Sequence, residues 1–203
     1  RLLPALAQRG IQLFSGPSIA IGYIGFNMDD RVVGPNRKLR QALHSAFNHD
    51  EWIKLNNYRI KKPTGPIPEG VPGYPDTPLP YSFDLDRAKR LLAEAGYPEG
   101  KDPATGRRLE LTIDVGNPDS VEVRQSIEAF VQFMDRIGVV IKPSYNTWPS
   151  YLEKLERRQI QLYYLSWMAD YPDAQNFLLL FSGQGVSPGP NHSNYVNPAF
   201  DAL

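Results

Sequence analysis

The sequence contains no cysteine, so it cannot form a disulfide framework, a thiolate nucleophile or a cysteine-ligated metal site. It also has no excess of charge, because 22 basic residues balance 22 acidic ones. Nucleic-acid-binding proteins normally carry a basic stripe, and no nucleic-acid partner is therefore expected. No run of about 18 apolar residues occurs, so the sequence predicts no membrane-spanning helix. The 203 residues suffice for one large domain or two small ones with a buried core.

Patterns that carry catalysis or bind cofactors are also missing. The three histidines, His44, His49 and His192, do not have the spacing of metal ligands, and no HExxH motif is present. No GxSxG motif offers an acyl-transfer serine. Residues 96–101, GYPEGK, are one residue short of a phosphate-binding loop and lack the Ser or Thr after the lysine. The sequence therefore predicts a protein that is not an enzyme and uses no cofactor or metal.

The periodicity of apolar residues predicts an α/β fold. Residues 109–115, LELTIDV, alternate between apolar and polar side chains and indicate a strand with Asp114 on its polar face. A long amphipathic helix follows, and residues 139–145 indicate a second strand. Strand, helix and strand in this order predict a parallel βαβ unit. Further strands are expected at residues 18–27 and 160–167.

Residues with strong capping preferences mark the starts of several helices. Asn48 and Glu51 have the spacing of a capping box, which predicts a helix start between two apolar segments. Asp84 is expected to cap the helix that follows it, and Thr147 to cap another. A further helix is expected to begin at Pro172, since proline is well suited to the first turn.

A proline-rich segment interrupts this pattern of helices and strands. Residues 63–83 contain seven prolines, at positions 63, 66, 68, 72, 75, 78 and 80. Proline fixes φ and removes a hydrogen-bond donor, so the segment is predicted to be a long irregular loop. Aromatic side chains at Tyr74, Tyr81 and Phe83 indicate that this loop packs over a surface.

Five segments occur in an order that resembles one known family. They are GFNM (25–28), RKLRQALHSAFNHDEWI (37–53), DLDRAKRLLAEAGYPEG (84–100), SWMADYPD (166–173) and NPAFDAL (197–203). Together they resemble solute-binding protein family 5, the dipeptide-, oligopeptide- and nickel-binding proteins of ABC transporters. The resemblance covers nearly the whole chain. Asn48 and His49 stand where the family usually has Asp and Arg, and the capping role survives this exchange.

The resemblance implies a periplasmic-binding-protein-like (type II) lobe, in which a mixed sheet is flanked by helices. Family members have two lobes that close on the ligand, and they are more than twice as long as this chain. Residues 1–27 are then expected to form the end of the first lobe and the hinge strand. Residues 28–203 are expected to form the second, ligand-binding lobe, which stops before the return crossing as a C-terminal lobe fragment.

The resemblance also implies where a ligand binds. In peptide-binding members the ligand lies extended in the cleft and pairs with protein backbone as an added strand. The acid of the W-x-A-D motif, here Asp170, then holds the α-ammonium group of the peptide. Backbone groups of Ser166 and Met168 are expected to pair with the ligand. The alternative for Asp170 is an Asx turn before Pro172.

Three further side chains are implied as parts of ligand pockets. Trp167 and Trp148 would form the walls of side-chain pockets, and Glu122 lies near another pocket-lining position. On composition alone a tryptophan belongs to the core more often than to a site, and this alternative stays open for both tryptophans. Asp173 is expected to be a first-turn acid favoured by the helix dipole, without a ligand role.

The expected function is capture of peptides for an ABC importer. The implied partners are a peptide or similar small solute and a membrane permease, and the protein is expected to act as a monomer. Its expected location is periplasmic or extracellular, with or without a lipid anchor. The first alternative is another solute of the same family, such as a nickel chelate, an oligosaccharide or an opine-like compound. The second is a stand-alone hydrolase or transferase domain, which the missing nucleophile, metal cluster and phosphate loop disfavour.

Overall fold

One mixed sheet of four strands organises the part of the chain that this computed structural model describes, namely residues 4–12, 14, 16, 18–75, 77 and 81–203. The strands are β1 (Ala20–Phe26), β2 (Glu110–Val115), β3 (Val140–Tyr145) and β4 (Leu162–Met168). Their order in the sheet is β1-β4-β2-β3, with β1 antiparallel to β4 and β2 parallel to both β3 and β4. The four strands expected from periodicity are therefore confirmed.

Eight α-helices accompany the sheet within the described residues. They are α1 (Pro4–Gln8), α2 (Arg37–Ala46), α3 (His49–Leu55), α4 (Leu85–Glu94), α5 (Val121–Asp135), α6 (Trp148–Glu156), α7 (Gln175–Leu178) and α8 (Pro198–Asp201). Short 3-10 turns occur at Pro98–Gly100, Leu179–Phe181 and Gly183–Gly185. Across the described ranges no helix has the length and apolar character needed to cross a membrane.

The connections between strands follow the predicted βαβ pattern. Helix α5 joins β2 to β3, which are parallel neighbours, so the predicted βαβ unit is confirmed. Helix α6 then joins β3 to β4, which lies on the other side of β2. After each of these two helices the next strand runs parallel to β2. The chain thus forms an α/β lobe with three parallel strands and one antiparallel edge strand.

Helices cover both faces of the sheet. Leu162 of β4 belongs to the main core, to which α2, α4 and α5 also contribute. The next residue, Tyr163, belongs to a second cluster with Tyr151 and Leu155 of α6. Because neighbouring strand residues point to opposite faces, these clusters lie on the two sides of the sheet. The main core consists of Val33, Leu39, Ala42, Leu43, Ala46, Ala88, Leu91, Leu92, Leu109, Leu111, Ile113, Val115, Ile127, Ala129, Phe130, Phe133, Met134, Ile137, Val139, Ile141 and Leu162.

Most predicted caps are confirmed by hydrogen bonds. The Asn48 side chain accepts a hydrogen bond from the backbone N–H of Glu51 at 3.1 Å, at the start of α3. The Asp84 side chain accepts one from the N–H of Arg87 at 2.8 Å, at the start of α4. Thr147 occupies the N-cap position of α6 but makes no side-chain capping bond. That part of the prediction was wrong, and α6 instead begins with a proline in its first turn.

Asp114, on the polar face predicted for β2, is 3% exposed because α6 covers that face. One further prediction is corrected by the structure. The helix expected from Pro172 begins at Gln175, since a turn comes first. In this turn the Asp173 side chain accepts a hydrogen bond from the N–H of Gln175 at 2.8 Å.

The proline-rich loop has no regular structure in its described residues, 63–75, 77 and 81–83. Val71 of the loop is buried and packs with Phe177 of α7, and Ile67 is partly buried against the same cluster. Tyr81 accepts a hydrogen bond from the Gln41 side chain at 3.1 Å. The loop therefore packs over the surface, as predicted. Residues 76 and 78–80 lie outside the described residues.

Candidate functional site

The carboxyl ends of the three parallel strands meet at one edge of the sheet. Gly116 follows β2, Trp148 follows β3 after a short turn, and Asp170 follows β4. In open α/β sheets, ligands bind in the crevice outside the carboxyl ends of the strands. The six site residues named above all belong to segments at this edge.

Strand β4 extends past the end of β2. The ladder between these strands ends at the pair Val115 and Tyr164, whereas β1 stays paired with β4 as far as Met168. The last part of β4 therefore has a neighbour on one side and none on the other among the described residues. An unpaired strand edge of this kind can accept a further strand.

The hydrogen bonds to β1 determine which backbone groups face the open side. The N–H of Ala169 donates to the Ile19 carbonyl at 2.9 Å, and the N–H of Asn27 donates to the Gln161 carbonyl at 3.0 Å. In an antiparallel pair every second residue directs its N–H and C=O to the neighbour. The odd-numbered residues of β4 therefore face β1. Ser166 and Met168, both exposed, direct their backbone groups to the open edge.

Asp170 lies on the turn after this open edge. It is exposed, and within the described part of the chain its carboxylate accepts no hydrogen bond and forms no ion pair. It therefore does not make an Asx turn before Pro172. Asp173 does accept a hydrogen bond from the backbone N–H of Gln175, so it has a structural role, but it precedes α7 and is not the first-turn acid that was expected. Of these two acids, Asp170 is the one available to a ligand.

Trp167 has a different environment from its neighbours Ser166 and Met168. It points to the opposite face of β4, where it packs with Val71, Ala169 and Phe177. Its indole N–H donates to Oδ1 of Asn176 at 2.8 Å, which ties the strand to α7. The side chain is half-buried, so the indole combines a core contact with partial exposure at the same end of the strand.

Trp148 is the first residue of α6 and lies over the end of β2. Its side chain is 42% exposed, and its ring centroid lies 5.6 Å from that of Tyr151. A Cβ atom at Gly116 would come within 2.9 Å of the indole and 3.0 Å of the Tyr151 ring, so only glycine fits beneath them. An open cavity of about 280 Å³ lies beside the indole, lined by Asn117, Pro118, Asp119, Ser120, Thr147 and Trp148.

Glu122 lies in the first turn of α5, beside the same cavity. Its carboxylate accepts a hydrogen bond from the Ser120 hydroxyl at 3.2 Å. Its own backbone N–H, and secondarily the Ser120 hydroxyl, hold the pKa of Glu122 below its usual range. The positive charge of Arg59 acts in the same direction. The carboxylate is exposed and ionised at neutral pH, two residues from a side chain that lines the cavity.

Two residues of this region were missed by the sequence reasoning. Tyr151 was not named as a site residue, yet its hydroxyl donates to the Tyr164 carbonyl at 2.8 Å. Gly116 was not singled out, although both aromatic rings pack against it. The spacing of Trp148 and Tyr151 was a usable signal, because residues three apart lie on one face of a helix.

An exposed strand edge, a free carboxylate and a half-exposed indole thus lie at the carboxyl ends of the parallel strands. Residues 2–188 match the family model described as "Bacterial extracellular solute-binding proteins, family 5 Middle". The chain therefore belongs to family 5 of the bacterial extracellular solute-binding proteins, a family of binding proteins.

Curated relatives agree with this assignment. Heme-binding protein A of Haemophilus influenzae is 28% identical over 194 residues, which cover 95% of this chain and 34% of the relative. The dipeptide-binding protein of Escherichia coli is 28% identical over 202 residues, which cover 96% of this chain and 36% of the relative. The chain thus spans about a third of the length of these two relatives.

Solved structures confirm the type II periplasmic-binding-protein-like lobe. The ABC transporter-associated periplasmic binding protein DppA from Helicobacter pylori, in complex with peptide STSA, has a TM-score of 0.80 and 28% identity. The match covers 92% of this chain and 35% of that one. The dipeptide binding protein from Pseudoalteromonas sp. SM9913, in complex with Met-Leu, has a TM-score of 0.77 and 26% identity. This match covers 91% of the present chain and 36% of the Pseudoalteromonas protein chain.

Proposed function

We propose that this chain forms most of one lobe of an extracytoplasmic binding protein that captures peptides and delivers them to an ABC permease. The observation that carries the proposal is the open edge of β4 at Ser166 and Met168, next to the free carboxylate of Asp170. Support comes from the relatives and solved structures whose names include a dipeptide or a bound peptide.

The chemistry of a peptide matches this arrangement. Every peptide has a backbone that can pair with a strand edge, and one terminal ammonium that can pair with a carboxylate. In our proposal the ligand backbone pairs with Ser166 and Met168, and Asp170 binds the α-ammonium. Closure of the cleft removes water and strengthens this charge-assisted hydrogen bond. Such a site binds peptides without reading their side chains.

The pocket walls are proposed from exposure. Trp148 offers a half-exposed ring beside an open cavity, so we assign it to a side-chain pocket. Glu122 accepts a hydrogen bond from Ser120, which lines the same cavity, and we assign Glu122 to the rim. Trp167 is held by Asn176, and we assign it the lesser role of a wall that also supports β4.

The proposed division into lobes rests on the resemblance to two-lobed family members. Residues 1–27 are assigned to the end of the first lobe and the hinge strand, and residues 28–203 to the ligand-binding lobe. Since the chain spans about a third of its relatives, the rest of the cleft comes from other residues. The protein is proposed to act as a monomer in the periplasm or outside the cell, with or without a lipid anchor, and without enzymatic activity.

A non-peptide solute is the alternative within the family. It is favoured by one observation, the name of the Haemophilus influenzae relative, which is called a heme-binding protein. A nickel chelate, an oligosaccharide or an opine-like compound would also fit this alternative. None of these ligands combines a peptide backbone with a terminal ammonium. Peptide binding should therefore depend on the Asp170 carboxylate, whereas binding of a non-peptide solute should not.

Asp170→Asn in the full-length protein tests the proposal. This substitution keeps the shape but removes the charge, and loss of one partner of a charge pair costs about 2–5 kcal/mol, or at least about tenfold in affinity. Calorimetric titration with tri-alanine should show this loss. N-acetylated tri-alanine, which lacks the ammonium, should bind the wild type poorly and be indifferent to the substitution.

Asp173→Asn is the matched control, because Asp173 lies on the same turn but bonds to the backbone of Gln175. It should leave peptide affinity unchanged. Unchanged affinity of Asp170→Asn together with a lowered melting temperature would show that Asp170 is a structural residue, and the ammonium role would be wrong.

A further inference from the structure

Three large apolar side chains are exposed around the start of α5. Leu55, the last residue of α3, is 53% exposed, and Tyr58 in the turn after α3 is 74% exposed. Val121, the first residue of α5, is 61% exposed. We call Leu55, Tyr58 and Val121 the apolar patch. Neighbouring apolar side chains that stay exposed together mark a contact surface.

Two observations place the apolar patch at the edge of the sheet that holds the ligand site. The Arg136 guanidinium, at the end of α5, donates two hydrogen bonds of 2.9 Å to the Glu51 carboxylate at the start of α3. The two helices therefore run in opposite directions, and α3 ends towards the start of α5. The charge of Arg59, in the turn after α3, reaches Glu122 in the first turn of α5. Since α5 follows the carboxyl end of β2, the patch lies at that edge.

The turn after α3 has the hydrogen bonds of a Schellman motif. The N–H of Tyr58 donates to the Ile53 carbonyl at 3.0 Å. The N–H of Asn57 donates to the Lys54 carbonyl, also at 3.0 Å. This motif requires a left-handed residue only at the position of Asn57, whose φ is +53°. Asparagine is one of the residues that tolerate this conformation.

Tyr58 is left-handed as well, with a φ of +58°, and the Schellman motif does not require it. A left-handed backbone is unfavourable for a residue with a bulky side chain. In the part of the chain that the structure describes, the Tyr58 ring pairs with no aromatic side chain and its hydroxyl makes no hydrogen bond. Tyr81, by contrast, bonds to Gln41 and packs on His44. Strained residues of this kind occur at sites where the side chain has a function, which here needs a partner.

We infer that the apolar patch, with Tyr58 as its main contact, is the surface on which the opposite lobe of the full-length protein closes over the ligand. The inference rests on the proposed function. The match covers only 34% and 36% of the two curated relatives, so most of such a protein lies outside this chain. The patch shares its edge of the sheet with Asp170, and a second lobe must cover this edge to exclude water from the ligand. The partner is therefore an apolar surface of the opposite lobe.

A contact between lobes acts on closure and not on the choice of ligand. A ligand that binds the closed form shifts the protein from open to closed, and the measured affinity includes the free energy of closure. Loss of a contact between the lobes should therefore weaken every peptide by the same factor. Loss of a contact with the ligand itself would weaken peptides with large side chains most.

Tyr58→Gly in the full-length protein tests the inference. Glycine adopts the left-handed conformation freely, so this variant should fold, and its melting temperature without ligand should not fall. Calorimetry should show weaker binding of tri-alanine and of tri-phenylalanine by the same factor. The expected factor is about two- to tenfold, as for loss of one aromatic contact.

Two further variants separate the ring from the backbone of the turn. Asn57→Gly is the matched control, because it introduces glycine at the other left-handed residue of the same turn and leaves the apolar patch intact. It should bind both peptides as the wild type does. Tyr58→Phe keeps the aromatic ring and should also retain the wild-type affinity.

Three results would overturn the inference and leave peptide capture intact. The first is a Tyr58→Gly protein with wild-type affinity for both peptides. The second is a loss confined to tri-phenylalanine, which would make Tyr58 a ligand contact. The third is an equal loss in Asn57→Gly, which would assign the effect to the backbone of the turn. A wild type that binds neither peptide would refute the proposed function, and the closure role of Tyr58 with it.

Discussion

The ammonium group of Lys154 lies 2.7 Å from Oδ1 of Asp114, and this ion pair joins α6 to the sheet. The Asn146 side chain donates to the same oxygen at 3.0 Å. Asp114 has only 5% of its side chain exposed, whereas Lys154 has 33%. Because a buried carboxylate needs compensation, α6 is held in one position over the end of β2. That position is also the one in which Tyr151 reaches Tyr164.

Removal of Lys154 should destabilise the fold measurably. Lys154→Met leaves the Asp114 charge buried with only the Asn146 amide beside it. Breaking a fully buried pair costs about 3–5 kcal/mol, and the partial exposure of Lys154 reduces this to about 2–3 kcal/mol. Urea denaturation followed by circular dichroism measures the change. Asp114→Asn in the same chain should recover part of the loss, since the amide carries no charge.

Lys142→Met is the control for this prediction. Lys142 pairs with Glu110, but both side chains are more than half exposed, and such surface pairs contribute about 0–1 kcal/mol. Equal destabilisation by Lys154→Met and Lys142→Met would show that the Asp114 pair has no special structural weight.

Substitution of Trp167 should lower the stability of the protein more than substitution of Trp148. Trp167→Phe leaves Oδ1 of Asn176 without its donor, and Asn176 is 3% exposed. An unsatisfied buried acceptor costs about 1–3 kcal/mol, so the free energy of unfolding should fall by this amount. Within the described part of the chain the Trp148 side chain makes no hydrogen bond, and the residue is 42% exposed, so Trp148→Phe should change stability by less than about 1 kcal/mol.

Binding should show the opposite order. Trp148→Phe shrinks the proposed pocket wall and should weaken affinity for tri-phenylalanine more than for tri-alanine, by about two- to tenfold, as expected for loss of aromatic contact. Trp167→Phe should affect both peptides equally. Calorimetry of both variants with both peptides makes the comparison. A larger loss of stability in Trp148→Phe than in Trp167→Phe would contradict these assignments.

We expect His49 to lower the free energy of unfolding as the pH falls below neutrality. Burial, followed by the nearby charges of His44 and Lys62, lowers the pKa of His49 to about 4 against the opposing effect of Asp50. The His44 and His49 rings lie 6.0 Å apart, and Phe47 packs 4.7 Å from His49. The folded protein therefore binds the His49 proton more weakly than the unfolded chain does.

The sign of the effect follows from this difference. The His49 contribution is fully present above the unfolded pKa of about 6.5 and is lost as pH falls from about 6.5 towards 4. His49 is only half-buried, so after solvent screening we expect a loss of about 1–2 kcal/mol between pH 7 and pH 4.5. Urea denaturation at both pH values should show a smaller loss in His49→Gln. A loss in His49→Gln as large as in the wild type would refute this role.

Local features of the sequence were predicted correctly because they depend on neighbouring residues. The Asn48 and Asp84 caps lie three residues from the amides that they bond, and such contacts form in any context that permits a helix. The alternation at residues 109–115 marked a strand for the same reason. Where a helix start depended on more than its capping residue the prediction failed, as at Thr147, which occupies the N-cap position of α6 without a side-chain capping bond.

The sequence by itself determined the α/β class, the order of strands and helices, the family and the segment around Asp170 in which to look for a ligand. Only the tertiary structure decided that β4 extends past the end of β2, that Asp170 is free while Asp173 bonds within a turn, and that Tyr151 donates to the Tyr164 carbonyl. The periodicity of apolar residues and helix capping depend on residues only a few positions apart, so the local sequence is enough to predict them. The open edge depends on where two distant strands stop relative to each other, and no local pattern encodes that distance.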